Sequence, residues 1–258
     1  AYEKEIGDEF IPPTVIAGGD KMTSLDEVIF FNFRKDRARQ LTAALFKSDF
    51  TEFSRVDFQP VEVVCMTEFD EWYKLPFAFA QDKPGTTLAE TISNANIRQF
   101  HCAETEKYAH VTYFLNGRTG DALNGEDRVI VPSPQVTTYD ETPAMSAAGV
   151  ATEVVSAIEG GQYGFLVVNF ANGDMLGHTG IPAAIIESLQ ALDHEVGKVL
   201  DAAFACGYSV VLTADHGNCE LMVEPGTRVP HTQHTVFPVP CMIMDKDNWH
   251  LSIGAGLS

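Results

Sequence analysis

Toward the C-terminal end of the chain, two apolar strand patterns flank one very long amphipathic helix pattern, and that run leaves few folds open. "YGFLVVNFAN" reads as a buried strand, "IPAAIIESLQALDHEVGKVLDAAFACG" as the helix, and "YSVVLTADHG" as the next buried strand. Strand, covering helix and strand at these lengths make a βαβ unit, which calls for a mainly parallel sheet covered by helices. The class is therefore α/β. "SAAGVATEVVSAIEGG" predicts a further helix stopped by its glycines. "AHVTYFLNG" is expected to be a strand with a turn, "RVIVPSP" a short extended piece, and "VPCMIM" a last central or edge strand.

The first third repeats the strand-to-helix theme. In "DEVIFFNFRKDRARQLTAALF" the run Val28 to Phe31 is strand-like, and from Asp36 the Ala/Arg/Leu content favours helix. "PVEVVCMTEF" is a second buried-strand candidate. Pro76, Pro84 and Gly85 then punctuate the chain, and a helix start is expected after Thr86 or Thr87. A domain boundary is placed near residues 78–86.

Charge narrows the partners. The formal net charge is -19, from 17 Lys+Arg against 36 Asp+Glu, and no basic run interrupts it, so a nucleic-acid backbone is excluded as a partner. A few arginines can still form a positive pocket for a small anion. No apolar stretch approaches the roughly 20 residues of a membrane span, and the opening does not resemble a signal peptide. "AYEKEIGDEFIPPTV" lacks a leading Met and is expected to be the start of a fragment or a processed product. The cysteines, Cys65, Cys102, Cys206, Cys219 and Cys241, are odd in number and form no CxxC, so a reducing, cytoplasmic setting is expected.

In sheets of this kind, ligands sit beyond the carboxyl ends of the strands. Asp174 and His178 follow the strand ending near Phe170, and Asp215 and His216 follow the strand ending near Thr213. "PHTQHT" brings His231 and His234 just before "VFPVP". Three separate segments thus deliver carboxylates and imidazoles to one edge, a donor set that suits zinc, manganese or cobalt. Taken singly, Asp174 reads as a turn cap, Asp215 as a helix cap, and the two histidines as surface residues. Those readings leave the shared strand-end placement unexplained. His194 is read as lying on a surface or packed face of the long helix, and His101, His110 and His250 as structural or incidental.

Paired divalent ions would suit phosphoryl or sulfuryl transfer, stabilising attacking and leaving oxygens. The anion then needs cationic clamps, for which Arg34, Arg37 and Lys107 are candidates. Arg34 and Arg37, three apart at the change from strand to helix, can reach one ligand. No nucleophile stands out. Ser133 lies between prolines, Thr179 and Thr213 carry no mark of activation, and Cys219 would need a base and a depressed pKa.

With these motifs in view, the chain resembles cofactor-independent (2,3-bisphosphoglycerate-independent) phosphoglycerate mutase, within the alkaline-phosphatase-like metalloenzymes. "DEFIPPTVI", "FFNFRKDRARQLT", "ETEKYAHVTYFLNG", "VPSPQVTTYDETPAMS", "VVNFANGDMLGHTG", "LTADHGNCE" and "PHTQHTVFPVP" follow the family's order over nearly the whole length. The resemblance implies interconversion of 3-phosphoglycerate and 2-phosphoglycerate, in glycolysis and gluconeogenesis, through a phosphoserine intermediate. It implies two divalent metals (Mn, Co or Mg) and no bisphosphoglycerate cofactor. Asp174, His178 and His234 match one metal set, while Asp215 and His216 contribute to the other. Arg34, Arg37 and Lys107 match residues holding phosphate and carboxylate, and His231 is read as supporting the ligands or forming a loop.

The resemblance also implies that the serine nucleophile and another metal-binding Asp lie upstream of this chain. Residues 1–82 then correspond to the C-terminal part of an inserted α/β substrate-binding domain. Residues 83–258 correspond to most of the phosphatase-like metal-binding domain. The N-terminal remainder of the enzyme becomes a required partner, and the complete protein is expected to be a monomer. "NGRTGDALNGEDR" departs from the family's shorter, glutamate-containing turn. A related metal-dependent phosphatase, a phosphopentomutase-like enzyme, or a catalytically incomplete subunit is the alternative.

Overall fold

The computed structural model describes residues 11–35, 37–80, 85–247, 249 and 251. His250 and the "DEFIPPTVI" segment up to Phe10 lie outside them. The chain divides into two compact units, Ala1–Lys83 and Pro84–Ser258.

In the first unit, β1 (Glu27–Phe30), β2 (Glu62–Thr67) and β3 (Phe77–Phe79) form a three-stranded parallel sheet in that order. The helix α1 (Ala38–Phe46) follows β1, as the Ala/Leu content predicts. Ala38, Val61, Val63, Cys65 and Phe69 make the core on one face of the sheet. Two carbonyls at the end of α1 find a donor in Arg55, whose guanidinium bonds Ala44 and Lys47 at 2.6 Å each. The outer face of the strands is less well covered: Ile29 is 71% exposed, and Phe31 and Phe33 beyond β1 are 77% and 51% exposed.

The second unit opens with α2 (Leu88–Asn94), capped where the sequence predicts. Thr87 accepts from the Glu90 backbone and the Glu90 carboxylate accepts from the Thr87 backbone, a capping box. A parallel sheet is built on β4 (Gln99–Glu104), flanked by β5 (Glu126–Val131) and β6 (Phe165–Asn169). The helices α3 (Ala147–Glu159) and α5 (Pro182–Ala205) cover it. Phe100, Cys102, Val150, Val154, Ile158 and Ala203 are the packed interior between strand and helices. A short helix α4 (Asn172–Gly177) leaves the carboxyl end of β6 over a second core, Met145, Ala171, Leu176, Ala184 and Ile185. Among the described residues no helix is long and apolar enough to cross a membrane.

Three features differ from the sequence reading. First, β4 is the centre of the sheet, and no strand is expected there from pattern. All six of its residues are buried, yet Gln99, His101 and Glu104 are polar and break the apolar signal. The burial is tolerated because most of the polar atoms find partners, Glu104 Oε1 being the exception. Gln99 donates to the Ala89 carbonyl at 3.1 Å, and the His101 ring nitrogens sit 2.7 Å from the Val111 carbonyl and 3.0 Å from the Gln99 amide oxygen. His101 is a structural residue, and burial holds its pKa below the ordinary value in spite of nearby Glu126.

Second, "AHVTYFLNG" is helical, not extended. Thr105–Lys107 makes a 3-10 turn and His110–Phe114 one π-helical turn. The β-branched residues that suggested a strand are used differently: Val111 and Thr112 bury themselves, and the Thr112 hydroxyl donates to the Tyr108 carbonyl at 2.7 Å. A side-chain bond to the fourth preceding carbonyl is compatible with a helical turn and not with a strand. Third, β7 (Val210–Thr213) is not a buried parallel strand. It pairs antiparallel with β8 (Cys241–Met244) as a separate two-stranded ribbon, and its residues alternate between half-buried and exposed.

Ile185, 1% exposed, supports α4 from below. Ile185→Ala is expected to destabilise the second unit by about 2–5 kcal/mol through lost burial and a residual cavity. A urea-unfolding midpoint read by circular dichroism measures it.

Candidate metal centre

The site is assembled at the carboxyl ends of β4, β6 and β7. Asp174 and His178 sit one helical turn apart, in α4 and at its C-terminal cap, so both side chains fall on one face. Their groups meet at 3.0 Å, His178 Nε2 to Asp174 Oδ1. His234 arrives from the loop before β8. Its Nε2 lies 2.9 Å from Asp174 Oδ1 and 3.2 Å from His178 Nε2. These three donors form the only group of three or more candidate metal ligands among the described residues. An ion held at 2.0–2.2 Å from each would need ligand atoms about 2.8–3.6 Å apart, so the spacing fits. The ring orientation fits too: His178 Nδ1 lies 2.7 Å from the Thr232 carbonyl, an acceptor for Nδ1–H, so that Nε2, which faces Asp174, would give its lone pair to an ion in place of the Asp174 hydrogen bond.

Lys107 closes the other side of the carboxylate. The 3-10 turn after β4 carries its ammonium onto Asp174 Oδ2, in a short contact with both side chains largely buried. Burial alone would raise the Asp174 pKa. Hydrogen bonds from His178 and Lys107 and their charge override that, and the carboxyl is held well below its usual range. Burial lowers the His234 pKa, with Asp174 opposing and His216 and His178 adding to it, which favours the neutral, ligating imidazole.

The second predicted pair lies alongside. The His216 ring stacks on that of His234, centroids 3.6 Å apart, and its Nε2 is 4.0 Å from Asp174 Oδ1. The Asp215 carboxylate, 62% exposed, reaches to 3.6 Å from His216 and not into the three-donor group. His231 turns away: its Nδ1 lies 2.7 Å from Glu224 Oε1, and its backbone N–H donates to the Met222 carbonyl. It fastens the loop that presents His234. Arg34 and Arg37 belong to the first unit, both exposed, with Arg37 at the N-cap of α1.

The nucleophile question is answered in part. Burial, Glu220 and Asp174 push the Cys219 thiol up to about 11, and its Sγ donates to the Gly173 carbonyl, so it is not an activated thiolate. The Ser133 hydroxyl donates to buried Glu104 at 3.0 Å and accepts from the Glu106 backbone N–H at 3.4 Å. It ties β5 to the turn that carries Lys107. Burial raises the Glu104 pKa, with the Ser133 and Ser146 hydrogen bonds opposing.

Sequence reasoning also passed over Asn218, which donates to Asp174 Oδ1 at 3.1 Å and to the Asp174 carbonyl at 3.3 Å. The available signal was its place two residues after His216 in a turn crowded by glycine. Gly177 and Gly217 are required by space: a Cβ on Gly177 would run into the Asn218 amide, and one on Gly217 into Glu220 and Thr235.

A carboxylate and two imidazoles gathered at the strand ends of a helix-covered parallel sheet define a metal-dependent α/β enzyme class, and the chain belongs to the Metalloenzyme superfamily, whose family model matches residues 32–254. The particular relatives are 2,3-bisphosphoglycerate-independent phosphoglycerate mutases. That of Symbiobacterium thermophilum is 47% identical over 260 residues, covering 100% of this chain and 50% of the relative. Mutase 1 of Methanosarcina barkeri is 45% identical over 252 residues, covering 96% and 49%. A solved structure of Leishmania mexicana phosphoglycerate mutase at low cobalt concentration superposes with a TM-score of 0.79 at 31% identity, covering 93% of this chain and 45% of that one. The chain spans about half the length of the curated relatives it matches.

Asp174 has a pH signature. With its pKa depressed in the fold, its contribution to stability is complete above the ordinary carboxylate pKa and is lost as pH falls below about 4. The stability gap between the parent chain and Asp174→Asn should therefore be widest near neutral pH and shrink steadily toward pH 2, measured by urea midpoints in a pH series.

Proposed function

We propose that the chain is the metal-binding and part of the substrate-binding portion of a phosphoglycerate mutase. The complete enzyme interconverts 3-phosphoglycerate and 2-phosphoglycerate through an enzyme phosphoserine, without a bisphosphoglycerate cofactor. The single observation that carries this reading is the meeting of Asp174, His178 and His234, with Lys107 on the same carboxylate. It occurs in a chain that resembles mutases from end to end.

Asp174, His178 and His234 would hold one divalent ion, and Asp215 and His216 would contribute to a second, with manganese, cobalt or magnesium as the candidates. When bound, such ions supply Lewis-acid stabilisation of the oxygens exchanged in phosphoryl transfer. The chain's own groups do the rest. Asp174 stays ionised at neutral pH because Lys107 and His178 hold it so. The Thr232 carbonyl accepts from His178 Nδ1–H, so that Nε2 would offer its lone pair to the ion. Lys107 carries three N–H donors; one faces Asp174, and the others can meet a substrate anion. Arg34 and Arg37 would bind the phosphate and carboxylate of phosphoglycerate as charge-assisted donors.

The serine nucleophile lies in an N-terminal remainder that is the chain's working partner. Residues 1–82 serve as part of the substrate-binding domain and residues 83–258 as the phosphatase-like domain. Exposed Ile29, Phe31 and Phe33 support such a partner, because parallel sheets are normally covered on both faces. The complete enzyme acts as a cytoplasmic monomer.

Two measurements test the reading. Cobalt titrated into the 258-residue chain should bind, and His178→Ala or His234→Ala should remove that binding. Co-expressed with the N-terminal half of the Symbiobacterium thermophilum relative, the chain should gain mutase turnover that it lacks alone. In that complex, Arg34→Ala or Arg37→Ala should lower kcat/KM on the order of 10–100-fold with metal content unchanged. Turnover by the isolated chain would refute the upstream placement of the nucleophile, and phosphate release without isomerisation would favour a phosphatase.

A further inference from the structure

Asp174 Oδ1 is the oxygen shared by His178 and His234, and a third group also reaches it. The Asn218 side-chain amide donates to it at 3.1 Å and to the Asp174 backbone carbonyl at 3.3 Å. Asn218 is only 6% exposed, and Gly177 leaves the space its amide fills. With the Lys107 ammonium on Oδ2, both oxygens of the carboxylate are engaged, and rotation about the terminal bond is blocked. A carboxylate oxygen has about two lone-pair directions, so Asn218 takes one on Oδ1 and leaves the other toward the two imidazoles.

Asn218 is itself held. Its backbone N–H donates to Glu220 Oε2 at 2.8 Å, and the other oxygen of Glu220 accepts from the Thr235 hydroxyl. Thr235 follows His234 directly, and its N–H donates to the Gly217 carbonyl at 2.9 Å. One carboxylate thus spans the two loops that bring the amide to Asp174 and the imidazole to the centre. We propose that Asn218 and Glu220 are positioning residues of the metal centre: Asn218 fixes Asp174 as a single-oxygen ligand, and Glu220 sets the distance between Asn218 and His234. This inference rests on the metal-centre reading above.

The test is cobalt titration of the full 258-residue chain, followed by its visible ligand-field absorption. Asn218→Leu, close in volume and without the amide, should weaken cobalt affinity about 10–100-fold and shift the absorption band, because Oδ1 loses its amide restraint and only Lys107 still orients the carboxylate. Glu220→Ala should weaken it several-fold, and Glu220→Gln, which can still bridge the Asn218 N–H and the Thr235 hydroxyl, should restore most of the loss. Far-UV circular dichroism of each metal-free variant separates these effects from unfolding. If Asn218→Leu does not fold, the Glu220→Ala and Glu220→Gln pair decides. Parent-like affinity and spectrum in Asn218→Leu and Glu220→Ala, with cobalt binding intact in the parent, would overturn this proposal alone. A parent chain that takes up no cobalt would remove the metal-centre reading and this proposal together.

Discussion

The second unit depends on one largely buried carboxylate held from several directions. Asp174 leaves a short helix at the end of β6 and meets an ammonium from the turn after β4, an imidazole from its own helix cap and another from the loop before β8. A charged group in this position is costly unless every lone pair is engaged. Here the engagement comes from segments nearly seventy residues away on one side and sixty on the other. The fold beneath is the means of bringing them together: a three-stranded parallel sheet whose strand ends share one rim, and a long helix that supports α4.

Much of this was legible in the sequence, for identifiable reasons. The helices announced themselves by period and by cap, as Thr87 and Glu90 show. Lys107, Asp174 and His178 follow β4 and β6, and a parallel sheet places the residues after its strands at one edge whatever their separation along the chain; His216 and His234 reach that edge from the separate β7–β8 ribbon, which the rule does not cover. What stayed hidden was polar and buried. β4 reads as too hydrophilic for a central strand, since Gln99, His101 and Glu104 pair only with partners ten or more residues away or two residues along the same strand. Val111 and Thr112 favour a strand by propensity, and tertiary packing made them a helical turn.

The site shows the same division. Residue type and spacing single out the donors Asp174, His178 and His234, but not what aligns them. Lys107 was read as an anion clamp, and its contact with Asp174 depends on a 3-10 turn that pattern did not reveal. Asn218, Glu220 and Ser133 are ordinary loop residues by composition, and only their partners give them weight. Cys219 is the converse case. As a nucleophile it would need a base and a depressed pKa, and burial with Glu220 and Asp174 nearby pushes its thiol up instead.

Gly177 and Gly217 carry one last consequence. Neither touches a donor atom through a side chain, and neither is among the residues with positive φ. Each is nevertheless confined by atoms that would collide with a methyl group. Substitution at either will therefore press on Asn218, Glu220 or Thr235, and can disturb the centre at two positions that have no functional group. A saturation screen scored only by lost activity would count such crowding as chemistry.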